Sequence, residues 1–351
     1  MSVKPHTDLH DRTDGVPTMS NSAKVLDRAD RIAEEVLFPA AETVDASDTV
    51  PTAHLDLLAE EGFYGLAGPP AFSDMSAEDT TTAARALELV ASGCLTTAFV
   101  WAQHHSAVMA ANRSQRPGIT QEWLEPLCRG VRRAGLAIAA TRPGPAAVRA
   151  EPVDGGYVLH GVAPWVTGWG LVDVLLTAAR DASDTLVWTL IDAVESDTLT
   201  ATPIDMVAVA ASRTVQVTFT GHFVPEERVT GTVPHEVYLQ NDAATLRFNG
   251  SLPLGVATRC ARLIGTSPLD AAVDACRATL DNAGPEQLPS ARAAASALAL
   301  RAAGLCATTT GSAAVLWNQP AERLMREALF LLVFGSRPAI RADLLDRLHA
   351  S

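Results

Sequence analysis

No stretch of this 351-residue chain is apolar for long enough to cross a bilayer, and no basic stripe interrupts its acidic surplus, a formal charge of −13 with a pI near 5.1. The first absence excludes a helical membrane span. The second argues against nucleic acid or an anionic membrane surface as partner, because this field repels a phosphate backbone. The five cysteines, Cys94, Cys128, Cys260, Cys276 and Cys306, include no CxxC pair. Scattered through apolar helical stretches, they read as buried free thiols of a reducing, cytoplasmic protein rather than as disulfides or a metal site. The first twenty residues lack the apolar core of a signal peptide and carry Pro5, Gly15, Pro17 and several charges, so residues 1–21 read as a disordered tail.

What is present is ample apolar material, 48% of the residues, in a chain long enough for two or three domains. Hydrophobic spacing divides it into three blocks. In residues 22–135, Val25, Leu26, Ala29, Ile32, Ala33, Val36 and Leu37 recur at helical spacing until Pro39. Further helices are predicted over 51–62, 76–90, 95–112 and 120–128, with a hinge at Gly93. From 136 to 232 the period is two, with turns at Asp154-Gly155-Gly156, at 181–184 and at Thr220-Gly221. From 233 on, helices return over 242–266, 269–282, 290–316 and 321–349. The pattern predicts an α+β protein with an N-terminal α-helical domain (22–135), a middle antiparallel β-domain (136–232) and a C-terminal helical bundle (233–351).

Chemistry concentrates in the middle block. A strand-like run, Leu136 to Ala140, leads into Thr141-Arg142-Pro143-Gly144. Two alternating runs then flank the Asp154-Gly155-Gly156-Tyr157 turn, and the segment Trp165-Val166-Thr167-Gly168 precedes the apolar run that starts at Val174. This order resembles the middle domain of the acyl-CoA dehydrogenase superfamily. There a strand ends in Thr-Glu-Pro, a hairpin follows, and a Trp-Ile-Thr-Asn segment lays its Trp and Thr against the isoalloxazine ring of FAD. The resemblance implies FAD as cofactor, with contacts from Ala139, Thr141, Trp165, Val166 and Thr167. A Thr hydroxyl near N5 supplies an uncharged donor and an indole supplies an apolar wall. Two residues apart on a regular strand, Trp165 and Thr167 are predicted to share one face. The plainer reading is a core aromatic and an ordinary strand threonine.

The helical ends carry the resemblance further. Leu58-Ala-Glu-Glu-Gly62-Phe-Tyr-Gly-Leu66 is similar to the superfamily's second helix and its turn, and Leu324-Met-Arg-Glu-Ala328 to its Leu-Met-Arg-Asp-Ala helix start. Departures are as informative. Where the resemblance places the catalytic glutamate the chain has Gly335, and residues 328–342 contain no carboxylate. Without a base against the substrate α-carbon the ordinary reaction loses a factor on the order of 10² to 10⁴. Pro143-Gly144-Pro145-Ala146-Ala147 replaces a Gly-Ser-Asp phosphate anchor, Arg277 lacks the Phe-Gly that follows it in the family, and Val315 to Gln319 replace a Phe-Gly-Gly turn. The bundle reads as shortened.

His104 or His105, on the helix that by resemblance passes beside the flavin, are candidate bases or donors. Arg247 is a candidate for neutralising developing negative charge. The plainer readings are core histidines and an inter-helix salt bridge. Arg337, beside the missing glutamate, reads as a cap partner, and Arg326 and Glu327 as structural ion pairs. The resemblance therefore implies a flavin-dependent oxidoreductase acting on an acyl thioester or related small molecule with an altered base. The alternatives are a monooxygenase of the same fold or a non-catalytic subunit. A homo-oligomer, dimer or tetramer, is implied because the family builds its flavin site across an interface, with a hetero-oligomer also open.

Overall fold

The structure, a computed structural model, describes residues 20–335 and 337–350. The tail expected over 1–21 lies outside these residues except for its last two, Ser20, which caps the first helix, and Asn21, which begins it. Ser20 caps α1 (Asn21–Ile32) by accepting from the Ala23 amide at 3.2 Å, and Val25, Ala29 and Ile32 form its buried face. The helix runs through a wider turn into α2 (Phe38–Asp45). α3 (Thr52–Glu60), α4 (Thr80–Gly93), α5 (Leu95–Arg113), α6 (Pro117–Ile119) and α7 (Glu125–Cys128) follow. The hinge between α4 and α5 is Cys94, with φ −149°, rather than Gly93. Gly93 serves close packing instead, since a Cβ there would stand 2.8 Å from Leu37 Cβ and 2.9 Å from Ala33 Cα.

The middle block contains β1 (Ala134–Ala137), β2 (Val148–Val153), β3 (Gly156–Val166), β4 (Val174–Arg180), β5 (Thr185–Asp192), β6 (Leu199–Pro203), β7 (Val215–Pro225) and β8 (Val229–Pro234). They pair in the order β6-β7-β3-β2-β4-β5-β8, with β1 beside β4. Most pairs are antiparallel, but β1 runs parallel to β4, so the sheet is mixed rather than antiparallel throughout. The expected β2–β3 hairpin is present: Val153 pairs with Gly156, and Gly155 takes φ +77°. The turn expected at Thr220-Gly221 is instead a bulge inside β7. Leu159 pairs with His222 and His160 with Thr220, leaving Gly221 as an extra residue at φ +69°.

α8 (His235–Asn241), α9 (Leu246–Asn249), α10 (Ser251–Ile264), α11 (Pro268–Asn282), α12 (Leu288–Thr310), α13 (Pro320–Val333) and α14 (Pro338–His349) form the last block. The single helix expected over 321–349 is two. Phe334 leaves helical geometry, Gly335 takes φ +62°, and Pro338 restarts the chain as the first residue of α14.

One apolar core runs through both helical blocks, from Val25 in α1 to Leu331 in α13, while the sheet has its own around Val148, Leu159, Val187 and Val217. A buried carboxylate ties the helical blocks together. Glu88 on α4 receives Arg277 of α11 at 2.8 and 2.9 Å, Thr258 of α10 at 2.9 Å, and Arg85. Burial pushes its pKa up, but the hydrogen bond from Arg277 and the charges of Arg85 and Arg277 outweigh it and hold the carboxyl below the usual range.

Candidate functional site

The end of β3 departs from regular pleating. Ala163 pairs with Val217 and Val166 with Val215, so three steps on β3 oppose two on β7. The extra residue is accommodated at Trp165, which takes φ +63°. The indole is thrown outward and stays 55% exposed, while Val166 is buried and Thr167, just past the strand, is 3% exposed. Trp165 and Thr167 therefore do not share a strand face as the sequence suggested, because the bulge breaks the two-residue period between them.

Thr167 enters a chain of three buried hydroxyls. Its Oγ1 lies 3.1 Å from Thr214 Oγ1, which lies 2.9 Å from Ser212 Oγ. Ser212 ends a short turn, Ala210–Ser212, that is flanked by Val209 and Arg213, both at φ +50°. Left-handed geometry at non-glycine residues costs on the order of 1–3 kcal/mol each and persists only where surroundings dictate it. Here they do. The Gly168 amide donates to Ser212 O at 2.9 Å, Trp169 N to Arg213 O at 3.1 Å, and Arg213 Nε to Trp169 O at 2.8 Å. α5 packs on both this turn and β1, so the hydroxyl chain sits at the joint of helices and sheet.

On the other side lies the turn Ala139–Thr141. Ala139 is half-buried, and the Thr141 hydroxyl donates to Ile138 O at 2.8 Å, so its proton is already used. Thr141 O accepts from His235 Nε2 at 3.0 Å. His235 Nδ1 in turn accepts from Arg180 at 2.9 Å, and Arg180 also reaches Gly144 O and Asp184. Arg180 and His235, neither singled out from the sequence, thus brace the 141–144 loop. A groove of about 520 Å³ opens beside the 143–147 segment, lined by Ala146, Ala147, Arg149, His160, Val162 and Pro164.

Both candidate histidines lie enclosed in the core. His104 is buried with both ring nitrogens satisfied by backbone: Nδ1 accepts from Ala134 N at 3.1 Å and Nε2 donates to Leu127 O at 3.0 Å. Burial and the adjacent His105 hold its pKa well below the ordinary value. His105 is buried between Trp101 and Phe248 with neither nitrogen hydrogen-bonded among the described residues, and burial pushes its pKa down to about 3. Arg247 is committed as well, donating to Asp281 at 2.6 Å and Ser251 at 3.1 Å. Arg337 holds the turn at Asp242 and Thr245. Arg326 pairs with Asp45 and Glu322, and Glu327 with Arg323. Arg277, bound to Glu88, is engaged within its own chain.

At the end of α13, where the resemblance implies a carboxylate, three phenylalanines meet. Phe99 of α5 lies 5.1 Å from Phe330 and 5.1 Å from Phe334, which stack at 5.3 Å. Gly335 beyond them is exposed, with nothing among the described residues within 4 Å of a Cβ built there.

For a flavin, the end of β3 offers an exposed indole and a buried threonine hydroxyl, and the groove lies along the preceding residues, His160 to Pro164. Comparison with known proteins agrees in fold. Residues 20–131 match the family model described as acyl-CoA dehydrogenase, N-terminal domain. Benzylmalonyl-CoA dehydrogenase of Aromatoleum aromaticum is 29% identical over 240 residues, 65% of this chain and 62% of that protein. The mitochondrial 2-methylacyl-CoA dehydrogenase of Solanum tuberosum is 24% identical over 247 residues, 67% of this chain and 60% of that protein. The chain thus spans about three-fifths of the length of these relatives. Butyryl-CoA dehydrogenase from Megasphaera elsdenii superposes with a TM-score of 0.80 at 15% identity, covering 95% of this chain and 99% of that one. PigA, solved with FAD and proline, superposes with a TM-score of 0.77 at 18% identity, covering 95% and 99%.

Proposed function

The chain belongs to the acyl-CoA dehydrogenase superfamily, and from that premise we propose that it is a flavin-dependent oxidoreductase acting on an acyl thioester or related small molecule, without a carboxylate base at the end of α13. FAD supplies a hydride acceptor at N5 when bound. In this reading Trp165 covers the ring, the Thr167 hydroxyl donates to its edge, and Ala139, Thr141 and Val166 contribute backbone and apolar surface. The observation that carries the reading is Trp165: a large indole held exposed at φ +63° beside a buried hydroxyl. A strained, solvent-facing aromatic costs free energy in the absence of a ligand that covers it.

The residues around it also bear on the kind of chemistry. His104 and Arg247 are internally committed, and burial against Trp101 and Phe248 makes His105 a weak base, so the three are poorly suited to take an α-proton. The phenylalanine cluster supplies shape there rather than acid–base function. This favours a second reading within the same fold, oxidation that uses dioxygen and needs no carboxylate at the α-carbon. Incubation with FAD, gel filtration and the visible spectrum test flavin retention. Exposure of the photoreduced, FAD-loaded protein to dioxygen, with and without an acyl thioester, separates the two chemistries. A protein that stays colourless after such loading supports a non-catalytic role.

A further inference from the structure

The hydroxyl chain Ser212–Thr214–Thr167 has a direction. Each member has one proton to donate, and each is buried. The Ser212 hydroxyl has one hydrogen-bond partner among the described residues, Thr214 Oγ1. An unmade donor costs on the order of 1–3 kcal/mol at either end of the chain, but at Ser212, 0% exposed, nothing can take the spare proton, whereas at Thr167, two residues from the exposed Trp165, a ligand can, so Ser212 donates to Thr214. Thr214 then has one remaining outlet, Thr167 Oγ1, and donates there. Thr167 accepts, and its own proton is left over at the end of the chain nearest Trp165 and the exposed surface. In the opposite polarity the surplus proton falls on Ser212, fully enclosed behind the turn.

We infer that Ser212 and Thr214 are positioning residues that make Thr167 a dedicated hydrogen-bond donor, so that the site prefers a ligand atom bearing a lone pair over the same atom bearing a hydrogen. The inference rests on the flavin reading and goes beyond it. Oxidised flavin presents an unprotonated N5 and reduced flavin an N5–H. A chain in which Thr214 donates to Thr167 strengthens Thr167 as a donor and occupies one of its lone pairs. It therefore holds the oxidised form tighter and makes the bound cofactor harder to reduce.

The test measures dissociation constants of oxidised and photoreduced FAD, and the midpoint potential, for the wild type, Thr214→Val, Thr214→Ser and Ser212→Ala. Thr214→Val is expected to weaken binding of oxidised FAD about three- to fivefold, one neutral hydrogen bond being the ceiling, because Thr167 keeps its hydroxyl and loses only the donor that directs it. Binding of the reduced form stays within about twofold and the potential moves positive. Thr214→Ser restores the wild-type values, and Ser212→Ala gives a smaller shift of the same sign, which keeps the test alive should the valine variant fail to fold. Equal weakening of both forms, or failure of serine to rescue, overturns the donor chain while leaving the flavin reading intact. A wild type that binds neither form overturns both.

Discussion

Trp165 and Thr167, two positions apart, occupy opposite environments: the indole is 55% exposed, whereas the threonine is 3% exposed with its hydroxyl 3.1 Å from Thr214. The bulge that separates them implies a trade of stability for surface. Trp165→Gly removes left-handed strain worth about 1 kcal/mol, and little packing is lost from so exposed a side chain. The melting temperature is expected to hold or rise while FAD content falls. A lowered melting temperature with FAD retained contradicts the assignment.

Thr167→Val removes the donor itself. About 1 kcal/mol of flavin binding is expected to go with it, read as a weaker dissociation constant and an altered potential. Unchanged flavin content, potential and turnover exclude this loop from the cofactor site.

Gly335→Glu restores a carboxylate near the family's catalytic position. Among the described residues nothing lies within 4 Å of a Cβ at this position, but φ +62° strains any residue with a Cβ. A stability loss of about 1 kcal/mol is expected, together with a gain of dye reduction by an acyl thioester. The stability loss without any gain shows that a missing base is not what separates this chain from its dehydrogenase relatives.

Buried histidines give the fold a sign of pH dependence. His105 has a folded pKa near 3, and His104 lies well below its ordinary 6.5, so between those limits the unfolded chain binds more protons. Their contribution is fully present above pH 6.5 and is lost as pH falls, for His105 by about 1.4 kcal/mol per pH unit down to its folded pKa, with His104 adding a slope of the same sign. Urea titrations from pH 7 to pH 4 measure it. His105→Phe, against Trp101 and Phe248, is expected to reduce the slope and to leave neutral-pH stability unchanged or higher; an unchanged slope contradicts the account.

Arg277→Ala leaves Glu88 buried with half its hydrogen bonds and is expected to cost about 3–5 kcal/mol. Chemical denaturation of this variant measures it, and a loss under 1 kcal/mol indicates that Arg85 and Thr258 suffice.

Much of this molecule was legible locally. The Asp154-Gly155 turn, the helical spacing around Val25 and the ends of α11 follow from residues that are neighbours in sequence. What escaped was non-local. Gly221 carries the signature of a turn, yet β3 and β7 pair across it and make it a bulge. His104 carries the residue type of a base, but its partners lie 23 and 30 positions away. Ser212-Arg213-Thr214 shows no motif until Thr167 arrives beside it, and the break at Gly335 was hidden within an apolar run.

The visible spectrum of the purified protein after incubation with FAD and gel filtration tests the central claim most directly. The account predicts a yellow protein with one FAD per chain, or per two chains if the site is shared, eluting as a dimer or tetramer, and loss of colour in Trp165→Ala. A colourless, monodisperse wild type, or a Trp165→Ala variant that keeps its full complement of FAD, contradicts it.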